Sequence, residues 1–211
     1  QREAWKRWVA IDPAAHEVLT FDCYGTLIDW ERGILNALMP IAAACGATIE
    51  PEAALVHFGR LESQIEAGPY VPYRTVLERV LIGLGAKFGF KPTRAEREEF
   101  ADSVSEWPAF PDTTEALRAL RMRYKLAIIS NIDDDLFKHT ELRLGVSFDC
   151  VITAQQVRSY KPSENNFLKA FERIGDLRTQ ILHVAQSQYH DIAPAKRIDR
   201  FRFRLTPLGG F

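Results

Sequence analysis

The chain has 211 residues, 46% of them hydrophobic, with 27 Lys and Arg against 28 Asp and Glu for a formal net charge of -1. That is enough apolar material for one well-packed domain, or for a core with a modest insertion, and it excludes a disordered protein. The balanced charge offers no basic field for nucleic acid and no polybasic cluster for a membrane surface, so the expected partner is a small molecule.

The N-terminal stretch QREAWKRWVAIDPAAHE lacks a continuous apolar run, and no segment approaches the length of a membrane span. Cys23, Cys45 and Cys150 stand too far apart for a disulfide framework or a zinc site, so a reducing cytoplasm is the expected setting. The first expected strand, EVLTF (17–21), is nearly all apolar and runs directly into Asp22, with a Gly-Thr pair at 25 and 26.

From about Gly33 to Glu106 the pattern changes to helical periodicity, in ILNALMPIAAAC, EAALVHFGRLESQIEA, YRTVLERVLIGLGAKFG and TRAEREEFADSVSEW. Pro51 and Thr93 stand where helices start, Gly46 and Gly89 where they stop. So long a crossover is implausible as plain connection, which makes it a separate helical cap (33–106) inserted into a core of 1–32 and 107–211. Its expected hinges follow Asp29 and lie in Pro108 to Pro111.

Beyond the cap, strands are expected at KLAII (125–129), CVIT (150–153), ILHVA (181–185) and FRFRL (201–205), the last with the alternation of an edge strand. Helices are expected at 112–124, capped by Asp112, and at 163–175, opened by Pro162 or Ser163 and closed by Gly175. Asp133, Asp134 and Asp135 open a further helix, where its dipole accounts for them. Trp5, Trp8, Trp30 and Trp107 are expected to pack at the domain junction. Strands alternating with helices give an α/β fold with a parallel sheet.

In such a sheet, ligands bind beyond the carboxyl ends of the strands. Those ends supply Asp22 and Thr26, then Ser130 and Asn131, then Lys161, then Gln186 to Asp191. The set amounts to a carboxylate, hydroxyl and amide donors, a cation and a second carboxylate. Each residue alone has a plainer reading. Asp22 suits a turn, Lys161 a surface, Asp191 the cap of the helix IAPAKR, Thr26, Ser130 and Asn131 local backbone bonds, and Tyr24 packing under the cap. His183 reads as a satisfied buried imidazole, and His190 has no metal-ligand spacing.

The order of these residues resembles the haloacid dehalogenase superfamily: FDCYGTL is similar to its first motif, IISN to its second, SYKP to its third and HVAQSQYHD to its fourth. The resemblance runs from about Glu17 to Pro194 and implies a Rossmann-like core with a type I cap. It also implies that Asp22 is a nucleophile forming a covalent ester, that Lys161 keeps it ionised, and that Asp191 holds Lys161 or helps activate water. Thr26, Ser130 and the backbone amides after Asp22 are then expected to hold anionic groups.

Phosphatases of the family carry an Asp where this chain has Tyr24, and Gly-Asp where it has Ala185-Gln186. Losing both carboxylates weakens a Mg²⁺ site, since that ion favours hard anionic oxygens. Halide leaves without a proton, so the resemblance is closest to the L-2-haloacid dehalogenase (type II) branch. It implies metal-independent hydrolysis of short anionic 2-haloacids to 2-hydroxy acids, with no cofactor. That branch also implies a substrate-gripping cap arginine, for which Arg60 is the nearest candidate with His57 one turn away, and it is commonly a homodimer. Two departures stand out: Gln188 replaces an Asn, and Phe167 replaces a Tyr. The alternatives are a Mg²⁺-dependent small-molecule phosphatase and a catalytically impaired relative serving as a binding module.

Overall fold

A computed structural model of the chain describes residues 15–175, 181–198 and 202–205. Its centre is a parallel sheet of β1 (Val18–Phe21), β2 (Lys125–Ser130), β3 (Cys150–Thr153), β4 (Ile181–Ala185) and β5 (Arg202–Leu205), in the order β3-β2-β1-β4-β5. All four residues of β1 are buried, because the strand is covered on both faces and flanked on both edges. Phe21 pairs with Ile128 of β2 and with Val184 of β4. The chain leaves β1 between these two neighbours, at the point where the strand order reverses, which is where a crevice opens in a doubly wound sheet. As expected for FRFRL, β5 lies at the sheet edge.

The insertion after β1 holds four helices, α1 (Trp30–Ala44), α2 (Pro51–Glu66), α3 (Tyr73–Phe88) and α4 (Arg94–Asp102), with a 3-10 turn at Ser103–Glu106. Their ends follow local chemistry. Asp29 accepts from the Arg32 amide at the start of α1, Pro51 opens α2, and Thr93 with Glu96 forms a capping box on α4. Gly89 closes α3 at φ 79°, a conformation glycine adopts without a Cβ penalty. The expected boundary at 32/33 falls inside the first turn of α1, whereas that at 106/107 coincides with the end of the 3-10 turn.

The remaining helices are α5 (Thr113–Arg121), α6 (Asp134–Leu144), α7 (Ala154–Val157), α8 (Asn165–Ile174) and α9 (Ala193–Arg197), the last preceded by a π-helical turn at Gln188–Ile192. Asp112 holds the N-cap position of α5 but already has helical backbone, and its side chain makes no cap bond. Helix α8 starts two residues later than Ser163, whose hydroxyl accepts from the Asn165 amide. Gly175 follows it at φ 85°.

One apolar cluster runs from Leu19 and Phe21 through Ile28 and Trp107 into Phe58, Leu77, Leu81 and Phe100, so the helical insertion and the sheet share a continuous core. Trp107 packs flat against Gly33, where a Cβ would lie 2.3 Å from the indole. Trp5 and Trp8 lie outside the described residues. Among those described, no helix is long and apolar enough to cross a membrane.

Candidate active site

Asp22 is the first residue beyond β1, and its amide still bonds the Val184 carbonyl at 3.0 Å, which fixes the carboxylate between the ends of β1 and β4. Oδ1 accepts from Lys161 Nζ at 2.8 Å and Oδ2 from Thr26 Oγ1 at 2.9 Å. The turn behind it depends on Gly25 at φ 95°. The amides of Gly25, Thr26 and Leu27 bond the Ile28 and Cys23 carbonyls. Those three amides are therefore spent within the turn.

Lys161 is only 2% exposed, and its ammonium has three acceptors: Asp22 Oδ1, Asp191 Oδ1 at 2.6 Å and the Ile129 carbonyl at 2.9 Å. Three N–H groups meet three acceptors, so none is left over. Burial alone disfavours the ammonium, yet Asp191 and Asp22 together hold its pKa above the ordinary lysine range. For Asp191, burial pushes upward, but Lys161 and His183 outweigh it and the carboxyl stays below its usual range. His183 Nε2 lies 3.1 Å from Asp191 Oδ1 and its Nδ1 2.9 Å from Thr20 Oγ1, an arrangement that the Nε2–H tautomer satisfies. Asp191 Oδ2 has no hydrogen-bond partner among the described residues.

These groups open into a cavity of about 260 Å³ lined by strand-end residues, by Trp30, Tyr73 and Trp107, and by Gly59, Glu62, Ser63 and Glu66 of α2. Asp22, Tyr24, Ser130, Asn131, Lys161 and Asp191 all reach it. The Ser130 hydroxyl is fully buried and unpartnered among the described residues. Asn131 Oδ1 accepts from the Lys161 amide at 2.7 Å, while its Nδ2 donates to the Lys161 carbonyl and to Glu66 Oε2. Thr26 holds Asp22 from the side and accepts from the Gln186 amide at 3.1 Å. The Tyr24 hydroxyl pairs with Thr140 Oγ1 at 2.9 Å, its ring stands edge-on to Trp107, and burial pushes the phenol pKa well up.

Two expected residues are placed elsewhere. Arg60 is exposed and does not line the cavity, because the face of α2 that does so carries positions 59, 62, 63 and 66, spaced at helical intervals that exclude 60. His57 stacks on Phe88 instead. Gln188 is also exposed, since the π-helical turn sends Ser187, His190 and Asp191 inward in its place. Phe167 is buried edge-on to His183, below the site.

The cavity wall from α2 carries two carboxyl groups. Glu62 accepts from the Tyr73 hydroxyl at 2.6 Å, and burial pushes its pKa up to about 7. Burial and the neighbouring Glu62 charge raise Glu66 as well. His190, which the sequence reading set aside, faces the same space with Nδ1 3.2 Å from Ser187 Oγ; burial and the Lys161 charge lower its pKa, so the imidazole is neutral near pH 7. Helical spacing from Gly59 would have found Glu62 and Glu66 had the phase of α2 been known.

The donor set does not suit Mg²⁺. The Asp22 and Asp191 carboxylates share one ammonium, the Tyr24 hydroxyl is committed to Thr140, and Gln186 supplies a neutral amide.

A family model described as haloacid dehalogenase-like hydrolase matches residues 16–199. The chain is 23% identical to (S)-2-haloacid dehalogenase 4A of Burkholderia cepacia, over 80% of this chain and 74% of that one. It is 24% identical to haloacetate dehalogenase H-2 of Moraxella sp. (strain B), over 92% and 90%. Among solved structures, L-2-haloacid dehalogenase from Xanthobacter autotrophicus with chloropropionic acid covalently bound superposes with a TM-score of 0.79 at 20% identity, covering 92% of this chain and 79% of that one. The chain belongs to the haloacid dehalogenase-like hydrolases, enzymes with a Rossmann-like core and an inserted helical cap.

Proposed function

We propose that this hydrolase removes halide from the carbon next to a carboxyl-derived group, the class that includes the short 2-haloacids, through an ester on Asp22 and without a metal. The observation that carries this is the single ammonium of Lys161 shared between Asp22 and Asp191 beside a Tyr24 that cannot donate a proton readily. Paired with Lys161 and oriented by Thr26, the Asp22 carboxylate displaces halide by attack at carbon. Halide leaves with the bonding pair, so no acid is required at the Tyr24 position.

Water then attacks the ester carbonyl of Asp22 and releases the 2-hydroxy product. Asp191 Oδ2, left uncommitted, holds that water, and the neutral imidazole of His190 accepts its proton. Residues 33–106 act as a cap over a core of 1–32 and 107–211, excluding bulk water during the alkylation step. The Xanthobacter relative with its covalently bound chloropropionic acid supports an enzyme-bound intermediate of this kind.

Mass spectrometry after mixing with a 2-halo substrate tests the reading. An adduct on the peptide containing Asp22, with halide release undiminished by EDTA and absent in Asp22→Asn, is expected. Phosphate release that requires Mg²⁺, with no adduct, supports the phosphatase alternative instead. Neither activity from folded protein supports a binding module.

A further inference from the structure

The cavity wall built by α2 is ill suited to a free carboxylate. Glu62 and Glu66 lie one turn apart on that helix and both line the cavity that holds Asp22. Their known bonds, from the Tyr73 hydroxyl and the Asn131 amide, each use one carboxyl oxygen. Among the described residues Lys161 is the only Lys or Arg that lines this cavity, and its three donors are already engaged. Arg158 lines an adjoining cavity, with its guanidinium over the Tyr70 ring. Ser130 adds a fully buried hydroxyl with no partner among the described residues, a donor set to meet an oxygen of a ligand.

We propose that Glu62 and Glu66 select substrates whose non-reacting end is uncharged or cationic and donates hydrogen bonds, so that a short 2-haloamide is processed in preference to the matching free 2-haloacid. The proposal rests on Asp22 acting as the alkylated nucleophile. In the bound amide, N–H groups face the Glu62–Glu66 pair and the carbonyl oxygen accepts from Ser130. An Asp22 oxygen forms a bond to the halogen-bearing carbon as the carbon–halogen bond breaks and halide departs with its electron pair. Water adds to the Asp22 ester carbonyl, the ester bond to the acyl carbon breaks, the 2-hydroxyamide leaves, and the proton passes to His190 and then to solvent. The sum is haloamide plus water giving hydroxyamide, halide and a proton.

A free acid instead sets its carboxylate against like charge, which disfavours its binding in a desolvated site. The groups facing the pair are Tyr73 from α3, Asn131 and Lys161 from the loops after β2 and β3, Asp22 after β1, and His190 with Asp191 from the π-helical turn. Burial raises both glutamates, so protonation there relieves the clash as pH falls.

The test compares halide release from 2-chloropropionamide and 2-chloropropionate by the full chain. At a pH of about 8 the amide is expected to exceed the acid in kcat/KM by at least about tenfold, and the ratio is expected to fall toward unity in the E62Q/E66Q double variant. With the wild-type protein alone, turnover of the acid relative to the amide is expected to climb as pH drops from about 8 to about 6. Acid handled as well as amide at the higher pH, or a ratio that ignores pH, overturns this inference and leaves dehalogenation standing. Halide release from neither substrate overturns both.

Discussion

Asn131 grips the backbone of Lys161 from both sides, its Oδ1 taking the Lys161 amide at 2.7 Å and its Nδ2 reaching the Lys161 carbonyl at 3.1 Å. The clamp joins the loop after β2 to the loop after β3 and so sets where the ammonium stands. Asn131→Ala releases both bonds, together with the one its Nδ2 donates to Glu66 Oε2. Because a shift of about 1 Å in a positioned group can cost on the order of 100-fold in rate, kcat for halide release is expected to fall by about 10- to 100-fold with little change in KM. Steady-state kinetics check this, and an unaltered kcat refutes the positioning role.

Lys161→Met leaves Asp22 and Asp191 buried without their cation. Activity is expected to vanish, and stability to drop by about 3–5 kcal/mol at neutral pH, as when one member of a buried ion pair is removed. The pH dependence has a defined sign. A raised pKa in the folded state means the Lys161 contribution is complete below the ordinary lysine value of about 10.4 and fades as pH climbs beyond it. The lowered Asp191 acts oppositely, contributing above about 3.9 and fading as pH falls through its folded value. Urea midpoints across pH are expected to show both flanks in the wild type and neither in the variant.

Glu62 gives a third titration, in a window between those two. Its folded pKa of about 7 is above the ordinary carboxyl value, so its stabilising contribution is full below about 4.3 and is lost as pH rises from there through neutrality. Glu62→Gln cannot ionise. The variant is expected to gain stability relative to wild type as pH increases across that interval, which denaturant titrations at successive pH values measure.

His190 is expected to serve only the second half of the reaction. In His190→Ala the alkylation step proceeds, so a single equivalent of halide appears rapidly and the ester on Asp22 then accumulates. Loss of a positioned proton acceptor lowers steady-state turnover by on the order of 100- to 1,000-fold. Rapid-quench mass spectrometry distinguishes this from slowed alkylation, in which no burst appears.

The strand ends could be read without coordinates because each buried parallel strand is a continuous apolar run that stops at a polar residue: Asp22 and Ser130 lie at such stops, and Lys161 and Asp191 in the connections that follow β3 and β4. The cap wall was not legible in the same way. Helix α2 has few buried residues, Ala54 and Phe58, so its hydrophobic pattern defines the inward face loosely and does not show that 59 and 62, rather than Arg60, line the cavity. Gln188 failed for a related reason: a π-helical turn has no distinctive periodicity, and it rotates the expected position outward. The acidic run at Asp133 was legible only as a helix start, because its partners lie about 60 residues away.

Those partners make Asp133 more than a complement to the dipole of α6. Its side chain makes no bond to its own helix; Oδ1 accepts from the Tyr73 amide at 2.9 Å and Oδ2 from the Arg74 amide at 3.0 Å. A buried residue two positions beyond Asn131 thus satisfies two of the donors that open α3 and ties the cap to the loop after β2. Asp133→Ala leaves both amides without that acceptor and is expected to destabilise the protein by about 1–3 kcal/mol. Asp133→Asn retains one carbonyl oxygen and should fall between. The Tyr73 hydroxyl also holds Glu62, so loosening this end of α3 displaces the cavity wall, and KM is expected to rise more than kcat falls. Hydrogen exchange resolves the cause: amide protection at Tyr73 and Arg74 is expected to drop in the alanine variant before protection in β1 does, and unchanged protection there rules out the tie.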